Sequence, residues 1–282
     1  MNIDYAITCV NEKRDYLEHL PIVSDMWKSL GVKVLIGRIK QTENHIELFD
    51  NLHIYRAGAY PSGDSRLLLS DFMCFKRFDS IDSGIQAKIT RMWIASITQG
   101  NNMIVDADMI PLHSGIINCY KIAPEDHLVK FGCEHPVFSR RPDFDKWPMH
   151  QTAARNTTFK EIINPFGYDY SGWINWLSSE SFPDDRANVT NGFSNFSDES
   201  LLKCLYDRWS HGNSRTTKIK RTEVSIGMNS HEVYGRICRV FNPSTEGIDV
   251  SKYFEVHGPR PFLDHLDWYQ PIVDYIKRRA NV

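Results

Sequence analysis

Two carboxylates one residue apart, Asp106-x-Asp108, directly follow a short apolar run, Met103 to Val105, which itself follows an amphipathic segment. Hard oxygen ligands delivered together at the rim of a sheet can hold Mg²⁺ or Mn²⁺ and leave other coordination positions to phosphate oxygens and water. The spacing alone carries little: 22 Asp in 282 residues give about 1.7 such pairs by chance, and a second pair, Asp143-x-Asp145, lies in a loop rich in Pro and Arg. Context separates the two. The first pair leaves a strand end, where open α/β sheets bind ligands; an Asp turn that merely closes the strand is the structural alternative.

Other residues have chemistry of their own. Asp198 and Glu199 open a helical segment, where the helix dipole favours acids with no further role. Lys88 and Arg91 flank the apolar stripe of another helix and share a face. His257 precedes a Gly-Pro turn, the usual place of a loop histidine. Tyr168, Tyr170, Trp173 and Trp176 form, with Trp147, an aromatic group that suits either a core or a stacking surface for sugar rings.

The elements that must position these groups follow from periodicity. Ile3 to Val10 reads as a strand, with Asn11 a possible helix cap after it. Leu17, Leu20, Val23, Trp27 and Leu30 then mark an amphipathic helix stopped by Gly31, with Pro21 giving a kink or a late start. Val32 to Ile36 and Leu52 to Tyr55 are further strands, and 58–83 reads as a long loop with one short helix around Leu67 to Phe78. Ser83 and Gln86 have the spacing of a capping box for the helix carrying Ile85, Ile89, Met92, Trp93 and Ile97, which ends at Gly100. Downstream lie a strand within 127–138, a loop-rich stretch over 140–196, a helix over 198–209, one or two strands within 222–241, and a helix over 264–279 closed by Lys277-Arg278-Arg279. The pattern is α/β, with no repeat and no forced domain boundary.

A net charge of −2 and pI near 6.6 argue against a general nucleic-acid binder. The six cysteines show no CxxC spacing, so scattered reduced thiols are expected. No signal sequence and no long apolar span is present, and the sequons at Asn156, Asn188 and Asn195 have meaning only in a secretory protein, so a soluble cytoplasmic protein is expected.

The stretch GIQAKITRMWIASITQGNNMIVDADMIPL resembles the helix, strand and D-x-D segment of metal-dependent GT-A fold glycosyltransferases, and YFEVHGPRPF is similar to the C-terminal His-Gly-Lys-Pro region of glycogenin-like members, with Arg in place of Lys. The resemblance implies a single GT-A type domain: a Rossmann-like mixed, mainly parallel twisted sheet flanked by helices. Residues 1–112 would form the nucleotide-sugar half and 113–282 the acceptor half. It further implies Mn²⁺ or Mg²⁺ on Asp106, Asp108 and His257, and a nucleotide-sugar donor, most often a uridine diphosphate sugar, against Cys9, Val10, Asn11, Lys88, Arg91, Asp106, Ala107 and Arg260. The acceptor would be a glycan or other hydroxyl compound. In inverting members an acid at a helix start deprotonates the acceptor, which Asp198 or Glu199 would do here, with Asp184 or Asp185 next in line. Two rivals remain. A sugar-nucleotidyltransferase should carry a Gly-rich basic loop after the first strand, and Val10-Asn11-Glu12-Lys13-Arg14 has no glycine; a non-catalytic glycan-binding protein would need neither metal nor nucleotide.

Overall fold

Strand β1 (Tyr5–Val10) buries side chains on both faces: Ala6 and Val10 join one apolar core, Ile7 and Cys9 another. Burial of this kind marks a central strand of a sheet covered on both sides. The computed structural model describes residues 1–40, 72–131, 149–192, 197–210, 215–219, 236–239 and 242–280. After β1 come α1 (Arg14–Leu17), α2 (Leu20–Ser29), β2 (Lys33–Lys40), β3 (Phe72–Lys76), α3 (Ser83–Ile97), β4 (Asn101–Ile104) and β5 (Met109–Pro111). The second half adds α4 (Gly115–Asn118), β6 (Leu128–Phe131), β7 (Thr152–Arg155), α5 (Asn156–Ile163), α6 (Tyr170–Ser179), α7 (Ser197–Ser210), β8 (Thr216–Ile219), β9 (Arg236–Cys238), β10 (Glu255–His257) and α8 (Leu266–Ala280).

Among the described residues the main sheet has the order β3-β2-β1-β4-β7-β6-β8. β2, β1 and β4 run parallel, as do β2 with β3 and β6 with β8, while β7 is antiparallel to β4 and β6. The result is the expected mixed, mainly parallel α/β sheet, with α2 packed in the first core and α3, α5, α6 and α7 in the second. A smaller sheet, β5-β10-β9, sets Met109 opposite His257 and so brings the segment after Asp108 beside the C-terminal histidine.

Several local expectations change. Pro21 falls in the first turn of α2, where its missing N–H costs nothing, so the helix starts late rather than kinking. Asn11 caps no helix; its Oδ1 accepts the Lys13 N–H at 3.2 Å in a local turn. Asp82, not Ser83, caps α3, its Oδ1 accepting from Gly84 at 2.8 Å and Ile85 at 3.2 Å. Gln86 instead turns inward, donating to the Lys76 carbonyl and the Tyr170 hydroxyl. The part of the expected 67–78 helix that is described forms strand β3, because Phe72–Lys76 pairs with β2. The Leu52 to Tyr55 strand and Asp143-x-Asp145 lie outside the described residues.

Helix α3 presses close to the sheet at Gly37 on β2. A Cβ there would lie 2.6 Å from Ile94 Cδ1 and 2.7 Å from Cys9 Sγ. Gly37→Ala is therefore expected to destabilise the fold by about 1–3 kcal/mol through overpacking, read as a lower urea midpoint with the slope unchanged. An unchanged midpoint would show that the helix moves away freely.

Candidate active site

The chain runs outward from β1 through β2 to β3, then crosses back to β4 on the other flank of β1. At such a reversal the connections leave the strand ends in opposite directions and open a crevice. A cavity of about 430 Å³ lies there, lined by Cys9, Val10 and Asn11 from the end of β1 and by Asp106, Ala107 and Asp108 after β4. Lys88 and Arg91 line it from α3, Asp198 and Glu199 from α7, and His257 and Arg260 from the C-terminal segment. The residues named from sequence for metal, donor and base at Asp198 or Glu199 thus line one space, whereas Asp184, Asp185 and the described members of the aromatic group do not.

Arg91 ties the acids together. Its guanidinium is buried, with Nη1 donating to Asp106 Oδ1 at 2.5 Å and to the Val105 carbonyl at 3.0 Å, and Nη2 donating to Asp198 Oδ2 at 2.5 Å. Burial disfavours a charge on Asp106, but the Arg91 guanidinium outweighs it and holds the carboxyl below the usual range. Asp198 is thereby tied to Arg91, and both it and Glu199, one residue on, border the cavity.

Asp108 is held from the other side. It is buried and accepts from His257 Nε2 at 3.2 Å, with Arg260 Nε 3.4 Å away. Burial opposes its charge, and His257 and Arg260 reverse that, keeping the carboxyl well below the usual range. On His257 burial opposes the proton, but the Asp108 hydrogen bond and the Cys238 thiol, 3.9 Å from Nδ1, raise the pKa to about 9. Gly258 follows because a Cβ there would overlap the Tyr269 hydroxyl, which donates to the Pro259 carbonyl at 2.8 Å. Arg260 donates to the Tyr16 hydroxyl and lies over its ring, 4.9 Å from the centroid.

Sequence reasoning missed Lys13, Tyr16, Asp82, Met149 and His150, which also line the cavity. His150 Nδ1 accepts the Asp106 backbone N–H at 3.0 Å. No local pattern announces it; the one backbone signal is the next residue, Gln151, at a φ of 65° that non-glycine residues seldom adopt. The aromatic group divides: Trp173 is fully buried, Tyr170 bonds Thr90 and Gln86, and Tyr168 and Trp176 gather with the exposed Phe166. None of these five lines the cavity. Asp184 is held by Arg186 at 2.7 Å, and neither it nor Asp185 lines the cavity.

Two carboxylates and an imidazole on one rim are donors that suit Mn²⁺ or Mg²⁺. Among the described residues no three His, Cys, Asp or Glu side chains are already gathered as a metal cage; Asp108 and His257 are paired, and Asp106 is turned to Arg91. The donor set fits such a cation once Asp106 leaves Arg91 and His257 gives up its proton.

No protein-family model matches the chain, and no curated protein matches it in sequence. Among solved structures it is similar to the galactosyltransferase LgtC in complex with donor and acceptor sugar analogues, at 8% identity and a TM-score of 0.49 over 98% of this chain and 96% of that one. It is also similar to a glycosyltransferase involved in glycosylation of the major capsid of PBCV-1, at 9% identity and 0.42 over 90% and 93%. Mouse xyloside xylosyltransferase 1 is a third, at 9% and 0.40 over 92% and 98%. Among the described residues no helix is long and apolar enough to cross a membrane.

The Asp108–His257 pair makes stability depend on pH in a known direction. The folded chain keeps the His257 proton up to about 9, the unfolded chain only to about 6.5, so the contribution is complete below 6.5 and is lost as pH rises through 9. Urea midpoints of the metal-free protein should fall between about pH 6.5 and 9 more steeply for the wild type than for His257→Gln. Parallel profiles would show that His257 does not carry the effect.

Proposed function

We propose that the chain is a metal-assisted glycosyltransferase, moving a hexosyl or pentosyl group from a nucleoside diphosphate donor, a uridine diphosphate sugar, to a hydroxyl of a glycan or other acceptor. One observation carries this reading: residues singled out from Cys9 to Arg260 converge on one cavity at the sheet's reversal point. Asp106, Asp108 and His257 would hold Mn²⁺ or Mg²⁺, which when bound supplies Lewis-acid stabilisation of the leaving diphosphate. Arg260 and Lys88 bring positive charge to the diphosphate, and the main chain at Cys9, Val10, Asn11 and Ala107 walls the nucleoside. Residues 1–112 supply most of the donor side and 113–282 the acceptor side.

Of the two acids at the start of α7, both of which line the cavity, Glu199 is assigned the acceptor proton, since a proton on Asp198 would leave the buried Arg91 guanidinium short of a counter-charge. Asp198 acts through that guanidinium, holding Asp106 and the helix start in register.

Uridine diphosphate should raise the melting temperature only when Mn²⁺ or Mg²⁺ is present, by the equivalent of about 2.7 kcal/mol at a hundred times its Kd. Asp108→Ala should remove this shift, and Asp143→Ala and Asp145→Ala should keep it. An equal shift in EDTA would discard the metal, and no shift with any nucleoside diphosphate would discard the donor.

Glu199→Gln and Asp198→Asn should fail differently. The first is expected to bind uridine diphosphate and Mn²⁺ normally and lose on the order of 10²-fold in kcat. The second breaks a buried ion pair and should lower the melting temperature and weaken donor binding. Normal turnover in Glu199→Gln would move the base elsewhere.

A further inference from the structure

A chain of buried polar groups runs from the small sheet to the peptide of Asp106. Arg236 Nε on β9 donates to Glu255 Oε1 on β10 at 2.5 Å. Glu255 is 1% exposed, and its Oε2 lies 3.0 Å from His150 Nε2 and 2.5 Å from the Gln151 amide nitrogen. His150 Nδ1 in turn accepts the Asp106 N–H at 3.0 Å. An imidazole nitrogen that accepts carries no proton, so the His150 proton sits on Nε2 and points at Glu255; the Gln151 amide nitrogen, 2.9 Å from the same Nε2, donates to that carboxylate oxygen as well and not to the imidazole. The turn that presents the imidazole is itself pinned, Gln151 N–H donating to the Ile104 carbonyl at 2.6 Å and the Tyr120 hydroxyl donating to the Gln151 carbonyl.

We propose that His150 is the positioning residue for Asp106: Arg236 and Glu255 fix the imidazole as its Nε2–H tautomer, and the bare Nδ1 holds the peptide from which the Asp106 carboxylate projects. The carboxylate has a second tether, Arg91, but that one competes with any cation the carboxylate must bind. A main-chain anchor does not compete. Asp106 can exchange Arg91 for a ligand while its backbone stays in place, and partners of this kind typically set affinity at a ligand site. That the anchor serves donor binding rests on the glycosyltransferase reading; the tautomer does not.

The test therefore has two readouts. ¹⁵N NMR of the ligand-free protein should show His150 as the Nε2–H tautomer. In Glu255→Gln the new amide donates to Nε2 and drives the proton to Nδ1, donor against donor at the Asp106 N–H. Calorimetry with Mn²⁺ and uridine diphosphate should show His150→Ala and Glu255→Gln each weaker by about 10- to 100-fold. His150→Asn, whose Oδ1 takes the place of Nδ1 and accepts without help from Glu255, should restore most of that affinity, and adding Glu255→Gln to it should cost little more. A wild-type Nδ1–H tautomer overturns the inference whatever the ligand does. So does an unweakened His150→Ala, or an Asn variant no better than Ala at a similar melting temperature. A wild type that shows the Nε2–H tautomer but binds no uridine diphosphate would remove the donor-site reading and leave His150 as the anchor of Asp106.

Discussion

The site is organised around one buried cation. Arg91 is 6% exposed, and its charge is stable there only because Asp106 and Asp198 both lie within 2.5 Å of it and the Val105 carbonyl takes a further N–H. Removing a partner from such a set leaves an uncompensated buried charge, a loss on the order of 3–5 kcal/mol. Arg91 sits on α3, Asp106 just beyond β4, and Asp198 in the first turn of α7. One guanidinium thus fixes how a helix, a strand end and a second helix meet, and those three form one side of the cavity that the end of β1 and the C-terminal segment complete.

The second carboxylate depends on different parts of the chain. Asp108 leads directly into β5, and the antiparallel pairing of β5 with β10 puts His257 opposite Met109. The small sheet therefore supplies to Asp108 what α3 supplies to Asp106: a cation close enough to make ionisation favourable against burial. Neighbouring acids that would otherwise repel each other are kept ionised by cations approaching from opposite sides.

Legibility from sequence followed the range of the interaction. Asp106 and Asp108 were legible because their setting is local: an apolar period of helical type, a glycine, a short apolar run, then the acids. α7, α8 and β1 were found by the same kind of signal. His257 and Arg260 needed the resemblance of the YFEVHGPRPF segment, since periodicity says nothing about a turn. His150, Glu255 and Arg236 were not singled out, because His150 reaches Asp106 across 44 residues and Glu255 across 105; His150 and Arg236 sit in no motif, and Glu255, though inside YFEVHGPRPF, is given no role by that resemblance. The misplaced cap of α3 has a smaller cause. Asp82 and Ser83 are both good N-cap residues, and the choice between them turned on Gln86, which tertiary packing drew toward Lys76 and Tyr170.

The two carboxylates are not equivalent, and the difference bears on how the site can take a ligand. Asp106 is half-exposed in its side chain and has a main-chain anchor in His150, so its carboxylate can turn without loosening the strand end. Asp108 is buried and has its charge shared by His257 and Arg260. If Asp108 turned toward a divalent cation, Arg260 would lose part of its compensation and be left facing the same cavity, where an anion would restore it. A cation alone therefore sets Arg91 and Arg260 against it, while a cation that arrives with a diphosphate satisfies both arginines and both acids together. On the glycosyltransferase reading proposed above, metal and nucleotide would then bind as a unit rather than independently, since each would supply the counter-charge that the other displaces.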